Sequence, residues 1–110
     1  MLFRSATRHN LHAAQSIQAL RAGKHVFVEK PLGLDPSECR AVLAEAESAA
    51  LLCAVGFNRR FGVLAIALKA SLDKTDGPQQ LSYRVTAGAL PADHWLLNPA
   101  IGGGRLVGEG

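Results

Sequence analysis

A chain of 110 residues fits one ordinary domain or a piece of a larger one. With 48% hydrophobic and 19% charged residues it falls outside the composition of disordered chains. Twelve basic and nine acidic side chains leave a net charge of only +3, and the basic residues are scattered. A nucleic-acid binder would want a stripe of Lys and Arg with aromatics between, so no nucleic-acid partner is expected.

No apolar run approaches the ~18 residues of a membrane span, so no membrane partner is expected either. Residues 1–10 lack the charged-then-apolar layout of a signal peptide, and a cytoplasmic location is expected. Cys39 and Cys53 have no partner at metal-ligand spacing, which suits free thiols in a reducing compartment.

In chain order, Met1 to Thr7 is the tail of a strand, followed by a polar turn, with Asn10 a candidate cap for the next helix. That helix runs to about Ala22, with Ala13, Ile17 and Leu20 on one face and Gly23 as its stop. His25-Val26-Phe27-Val28-Glu29 reads as a strand covered on both faces, and Pro31 ends it. Asp35, Pro36 and Glu38 resemble a capping box, after which Cys39, Val42, Leu43, Ala46 and Ala50 recur at helical spacing. Leu51 to Phe57 is another buried strand, Phe61 to Leu72 a third helix and Asp73 to Pro78 a turn-rich connector. From Leu81 to Ala87 apolar and polar residues alternate, the period of a strand covered on one face. Gly88 to Pro99 is a loop carrying His94 and Trp95.

The repeated strand–helix order predicts an α/β fold: part of a Rossmann-like, doubly wound parallel sheet running into the first part of an α+β domain. The division is expected near residue 76, with residues 1–76 in the nucleotide-binding part and 77–110 beginning the second domain. In such sheets ligands bind outside the carboxyl ends of the strands. Lys30 sits at that end, beside Glu29 and Pro31, and is the first candidate for moving a proton; a solvated strand end is the plain alternative. Thr7, His9, Asn10 and His12 form a hydrogen-bonding turn after the first strand. A metal on His9 and His12 lacks a third ligand at a readable spacing, so no metal site is expected. Asn58, Arg59 and Arg60 follow the next strand, as anion ligands or solvated charges. Gly102-Gly103-Gly104 is a phosphate cradle or a tight turn, and does not match the Gly-x-Gly-x-x-Gly fingerprint. Trp95 is either a core plug or a pocket wall.

Three stretches carry a family resemblance: Thr7-Arg8-His9-Asn10-Leu11-His12, Ala22-Gly23-Lys24-His25-Val26-Phe27-Val28-Glu29-Lys30-Pro31, and Val55-Gly56-Phe57-Asn58-Arg59-Arg60-Phe61. Together with Asp93-His94-Trp95, Asn98-Pro99 and the glycine-rich end, they resemble the Gfo/Idh/MocA oxidoreductases, close to members joined to an alcohol-dehydrogenase-like domain. The resemblance implies a cofactor, NAD or NADP, and a sugar-like or polyol-like small-molecule substrate, with a homo-oligomer in the full-length protein. It implies that Lys30 contacts substrate and nicotinamide and assists proton transfer. Thr7, His9, Asn10, His12, Glu29 and Pro31 would surround the nicotinamide end, with Asn58, Arg59 and Trp95 nearby. It also implies that the glycine fingerprint precedes Met1 and that a further Asp and His follow Gly110. The expected function is therefore hydride transfer between NAD(P) and a hydroxyl or carbonyl substrate, with the 110 residues alone inactive. The alternative is an inactive product serving only as a nucleotide-binding or interaction module, and a third reading is a zinc hydrolase using His9 and His12.

Overall fold

The alternation of Val26 and Val28 sets the architecture, because both side chains point to one face of a central strand and both are fully buried. The computed structural model describes residues 1–109. Its elements are β1 (Leu2–Ser5), α1 (His9–Arg21), β2 (His25–Glu29), α2 (Pro36–Ser48), β3 (Cys53–Gly56), α3 (Val63–Leu72) and α4 (Gly104–Glu109). Short 3-10 turns occupy Asn58–Phe61 and Trp95–Leu97. The strands are parallel in the order β1-β2-β3, with Ser5 opposite Val28 and Val28 opposite Val55. Ala13, Ala19 and Leu20 of α1 and Val42 and Ala46 of α2 close over Val26 and Val28 as one core cluster. This is the expected Rossmann-like α/β pattern.

The punctuation of α2 follows the sequence. Asp35 caps it by accepting from the Ser37 and Glu38 backbone N–H groups at 2.7 and 3.1 Å, and Pro36 takes the first helical position. Glu38 reaches back one residue further than in a regular capping box, accepting from the Leu34 N–H at 2.7 Å. Helix α1 begins at His9, with Arg8 at the cap and no side-chain cap bond, so Asn10 lies inside the first turn rather than ahead of it.

Residues 1–56 and 91–109 form one compact unit and residues 57–90 another. The boundary expected near residue 76 falls inside the second unit. That unit holds the Asn58–Phe61 turn and α3, which starts at Val63 because Gly62 is extended (φ −68°, ψ 147°). Leu81 to Ala87, expected as a strand, forms none in the described residues. Alternation describes faces, but a strand exists only through a hydrogen-bonded neighbour, and this segment has no ladder partner here.

Candidate active site

Two strand ends and one returning segment build the site. β1 finishes at Ser5, buried at 2% exposure, and the chain turns through Thr7 into α1. Gln15 on α1 accepts from both hydroxyls of this turn, from Ser5 at 2.7 Å and from Thr7 at 3.0 Å. β2 finishes at Glu29, opposite Gly56 of β3, and leads into Lys30 and Pro31. A Cβ at position 56 would lie 2.8 Å from the Glu29 Oε2, so the carboxylate would have to swing aside. The carboxylate therefore lies along the end of β3.

His12 joins these two strand ends. It is 1% exposed; its Nδ1 is 2.7 Å from the Pro31 carbonyl oxygen, and its Nε2 is 3.1 Å from that of Thr7. The returning segment closes the corner from the other side. The Lys30 Nζ donates to the Gly108 carbonyl, the Asn10 N–H donates to the Ile101 carbonyl at 3.0 Å, and the His9 Nδ1 bonds the Gly102 carbonyl at 2.8 Å. Trp95 meets His9 edge-on, with ring centroids 4.8 Å apart at 82°, and the Arg8 guanidinium lies 5.9 Å from the Trp95 ring. Gly108 is small by necessity, because a Cβ there would come within 2.9 Å of the His9 ring and strike Leu96.

Of the residues expected at the site, Thr7, His9, Asn10, His12, Glu29, Lys30, Pro31 and Trp95 all lie in the first unit. The structure links His12 to Thr7 and Pro31, His9 to Trp95, and Asn10 and Lys30 to the returning segment. Asn58 and Arg59 belong to the second unit, both exposed in its 3-10 turn. The sequence offered no sign of Gln15, Ile101 or Gly108 as site partners. In the glycine run, Gly103 and Gly104, with φ of 76° and 78°, lead into α4 while Gly102 supplies the acceptor for His9.

Chemically, the corner presents an amine, a hydroxyl and an amide at the carboxyl ends of parallel strands. A separate apolar groove of about 340 Å³, lined by Leu32, Cys39, Leu43, Cys53 and Val55 among others, contains none of the expected site residues. Burial pushes the Cys53 thiol up from its ordinary value. Among the described residues no group of three His, Cys, Asp or Glu side chains could hold a metal ion, and no helix is long and apolar enough to cross a membrane.

Comparison with known proteins agrees with this fold. Residues 5–57 match the model of the family described as "Oxidoreductase family, NAD-binding Rossmann fold". The chain is 43% identical over 63 residues to an inositol 2-dehydrogenase of Gluconacetobacter diazotrophicus, covering 56% of this chain and 19% of that protein. Biliverdin reductase from Synechocystis, solved with biliverdin and NADP+, superposes with a TM-score of 0.84 at 30% identity, over 97% of this chain and 34% of the other. The WlbA dehydrogenase from Thermus thermophilus, solved with NAD and UDP-GlcNAcA, gives 0.83 at 26% identity, over 97% and 36%. The chain spans only 18% to 23% of the length of the first three curated relatives it matches. Through residues 5–57, the chain matches the Gfo/Idh/MocA oxidoreductase family.

Proposed function

We propose that these residues form the nicotinamide end of an NAD(P)-dependent oxidoreductase acting on a hydroxyl or carbonyl carbon of a sugar, a polyol or a related small molecule. The observation that carries this reading is the position of Lys30 directly after β2, in one corner with the Thr7–His12 turn, within the stretch that matches the family. The donor set fits a nicotinamide and its ribose: the exposed Thr7 hydroxyl and Asn10 amide offer hydrogen bonds, and Trp95 offers an apolar ring. His9, Glu29 and Pro31 shape the same corner. The backbone cradle for a pyrophosphate is a different matter, since no Gly-x-Gly-x-x-Gly occurs in the 110 residues.

When bound, the cofactor supplies the ring carbon that takes or gives the hydride. Lys30 handles the proton. In the reducing direction its ammonium gives a proton from Nζ to the oxygen as the carbonyl becomes an alcohol. In the oxidising direction the neutral amine takes that proton back. The Gly108 carbonyl, which accepts from Nζ here, holds the amine at the strand end until a substrate oxygen replaces it.

The inositol dehydrogenase relative supports a polyol, and the family fold supports a nicotinamide cofactor. In the protein carrying its complete reading frame, Lys30→Ala should lower turnover by about two to four orders of magnitude, as for loss of a positioned proton-transfer group. Steady-state rates with NAD and NADP against a panel of polyols would read this, and an unchanged rate would refute the role of Lys30. Failure of the unmodified protein to bind either nucleotide would favour the competing reading, a chain that only associates with a partner.

A further inference from the structure

We propose that the Arg8 guanidinium binds substrate, and that it selects molecules carrying an anionic group, a carboxylate or a phosphate, several bonds from the reacting carbon. This names the substrate class of the site proposed above and rests on that reading for the reacting end. The backbone of Arg8 is fixed at the cap of α1, where its carbonyl accepts from the Leu11 N–H at 3.0 Å. Its exposed side chain lies over the Trp95 ring, with the guanidinium 5.9 Å from the ring centre. Among the described residues it makes no ion pair with a carboxylate. An aromatic ring steadies a guanidinium but leaves the fork of its N–H donors unclaimed. That planar fork matches a pair of carboxylate or phosphate oxygens.

The acidic side chains of the same strand ends and returning segment are placed elsewhere. Glu29 lies against Gly56 on the β3 side of the sheet, whereas Arg8 follows β1 at the opposite side. Glu109 pairs with Arg105 at 3.1 Å. Asp93, two residues before Trp95, makes no ion pair with Arg8. The β1 side of the corner therefore favours an anion.

Contacts also set how far that anion sits from the chemistry. Arg8 touches Trp95, Trp95 meets His9 edge-on at 4.8 Å, and the His9 ring lies against Gly108, whose carbonyl holds the Lys30 amine. Two rings thus separate the guanidinium from the amine. A molecule reaching both needs several bonds between its anion and its reacting carbon, as in a sugar acid or a sugar phosphate. A 2-hydroxy acid, whose carboxylate adjoins the reacting carbon, is too short.

The test is equilibrium binding by calorimetry in the protein carrying its complete reading frame, with glucose, glucuronate and glucose 6-phosphate as probes. At least one anion should bind about ten- to a hundredfold tighter than glucose, as for one charge-assisted contact, and which anion leads tells carboxylate from phosphate. Arg8→Gln should cut that anion-to-glucose ratio about tenfold or more, and Arg8→Lys, which keeps the charge without the fork, should fall between. Neither anion binding tighter than glucose, or a ratio unmoved in Arg8→Gln, would overturn the proposal. So would a loss of NAD or NADP affinity in Arg8→Gln as large as the loss for the anions, which would assign the guanidinium to cofactor phosphate. Turnover of neutral polyols without any anion preference removes this site and leaves the oxidoreductase reading standing. Arg8-dependent anion binding in a protein that takes up neither nucleotide does the reverse.

Discussion

Helices α1 and α2 end in the same hydrogen-bond pattern but place different residues at its left-handed position. At the end of α1, the Gly23 N–H donates to Leu20 at 2.9 Å and the Lys24 N–H to Ala19 at 3.0 Å, with Gly23 at φ 69°. At the end of α2, the Ala50 N–H donates to Glu47 at 3.1 Å and the Leu51 N–H to Ala46 at 3.0 Å, with Ala50 at φ 52°. Both are the Schellman arrangement, which glycine suits. A left-handed conformation costs an L residue about 1–2 kcal/mol, while glycine gives back about 0.5–1 kcal/mol through the freedom of the unfolded chain. Ala50→Gly should therefore stabilise the protein by about 0.5–1 kcal/mol. Gly23→Ala should destabilise it by a similar amount. A Cβ at position 23 would meet no atom within 4 Å, so that substitution reads the backbone effect without a clash. Urea unfolding followed by Trp95 suits the measurement, because Trp95 is the chain's only tryptophan and belongs to the same compact unit as both helix ends. With urea slopes of about 1–3 kcal/mol/M, the two midpoints should separate in opposite directions by a few tenths of molar each. Movement of both midpoints in one direction, or a lower midpoint for Ala50→Gly, would refute the reasoning.

Two further outcomes are expected. Leu20→Ala removes three carbons from a site 1% exposed at the centre of the core cluster, and should cost about 2–5 kcal/mol by the same unfolding assay; a loss below about 1 kcal/mol would show that the site collapses freely. Asp35 is held below its ordinary value of 3.8 first by the Ser37 hydroxyl and then by the Glu38 and Ser37 N–H groups. Its cap therefore contributes fully above that value and is lost as pH falls through the lowered one. The stability gap between the unmodified protein and Asp35→Ala should be widest near neutrality and close on acidification, and a gap independent of pH would contradict the assignment.

Local chemistry made much of this fold readable in advance. His25 to Glu29 is recovered as β2 with the expected limits, because a short β-branched and aromatic run before a proline has few other uses. Asp35 and Pro36 marked the start of α2 for equally local reasons. Leu43, expected on the buried face of α2, is instead 56% exposed and lines the apolar groove, since the core beneath α2 is filled by Val42 and Ala46. The buried stripe of α1 was only partly visible, because His12 and Ser16 occupy core-facing positions with Leu20 and polar residues disguise the period. Helix α4 was hidden altogether, as three glycines give no propensity signal. No local pattern could have joined Lys30 to Gly108, or His9 to Gly102, since such contacts are products of the tertiary fold.

The bond from Lys30 to Gly108 spans 78 positions in the chain, and this orders events during synthesis. On a ribosome adding about 5–20 residues per second, β1, α1 and β2 have emerged well before the acceptors for His9 and Lys30 exist. The sheet can therefore assemble first, with its basic corner still wet and unclaimed. Only when the glycine-rich stretch leaves the exit tunnel does that corner acquire its wall, which makes reactivity of the Lys30 amine a natural clock for that closure.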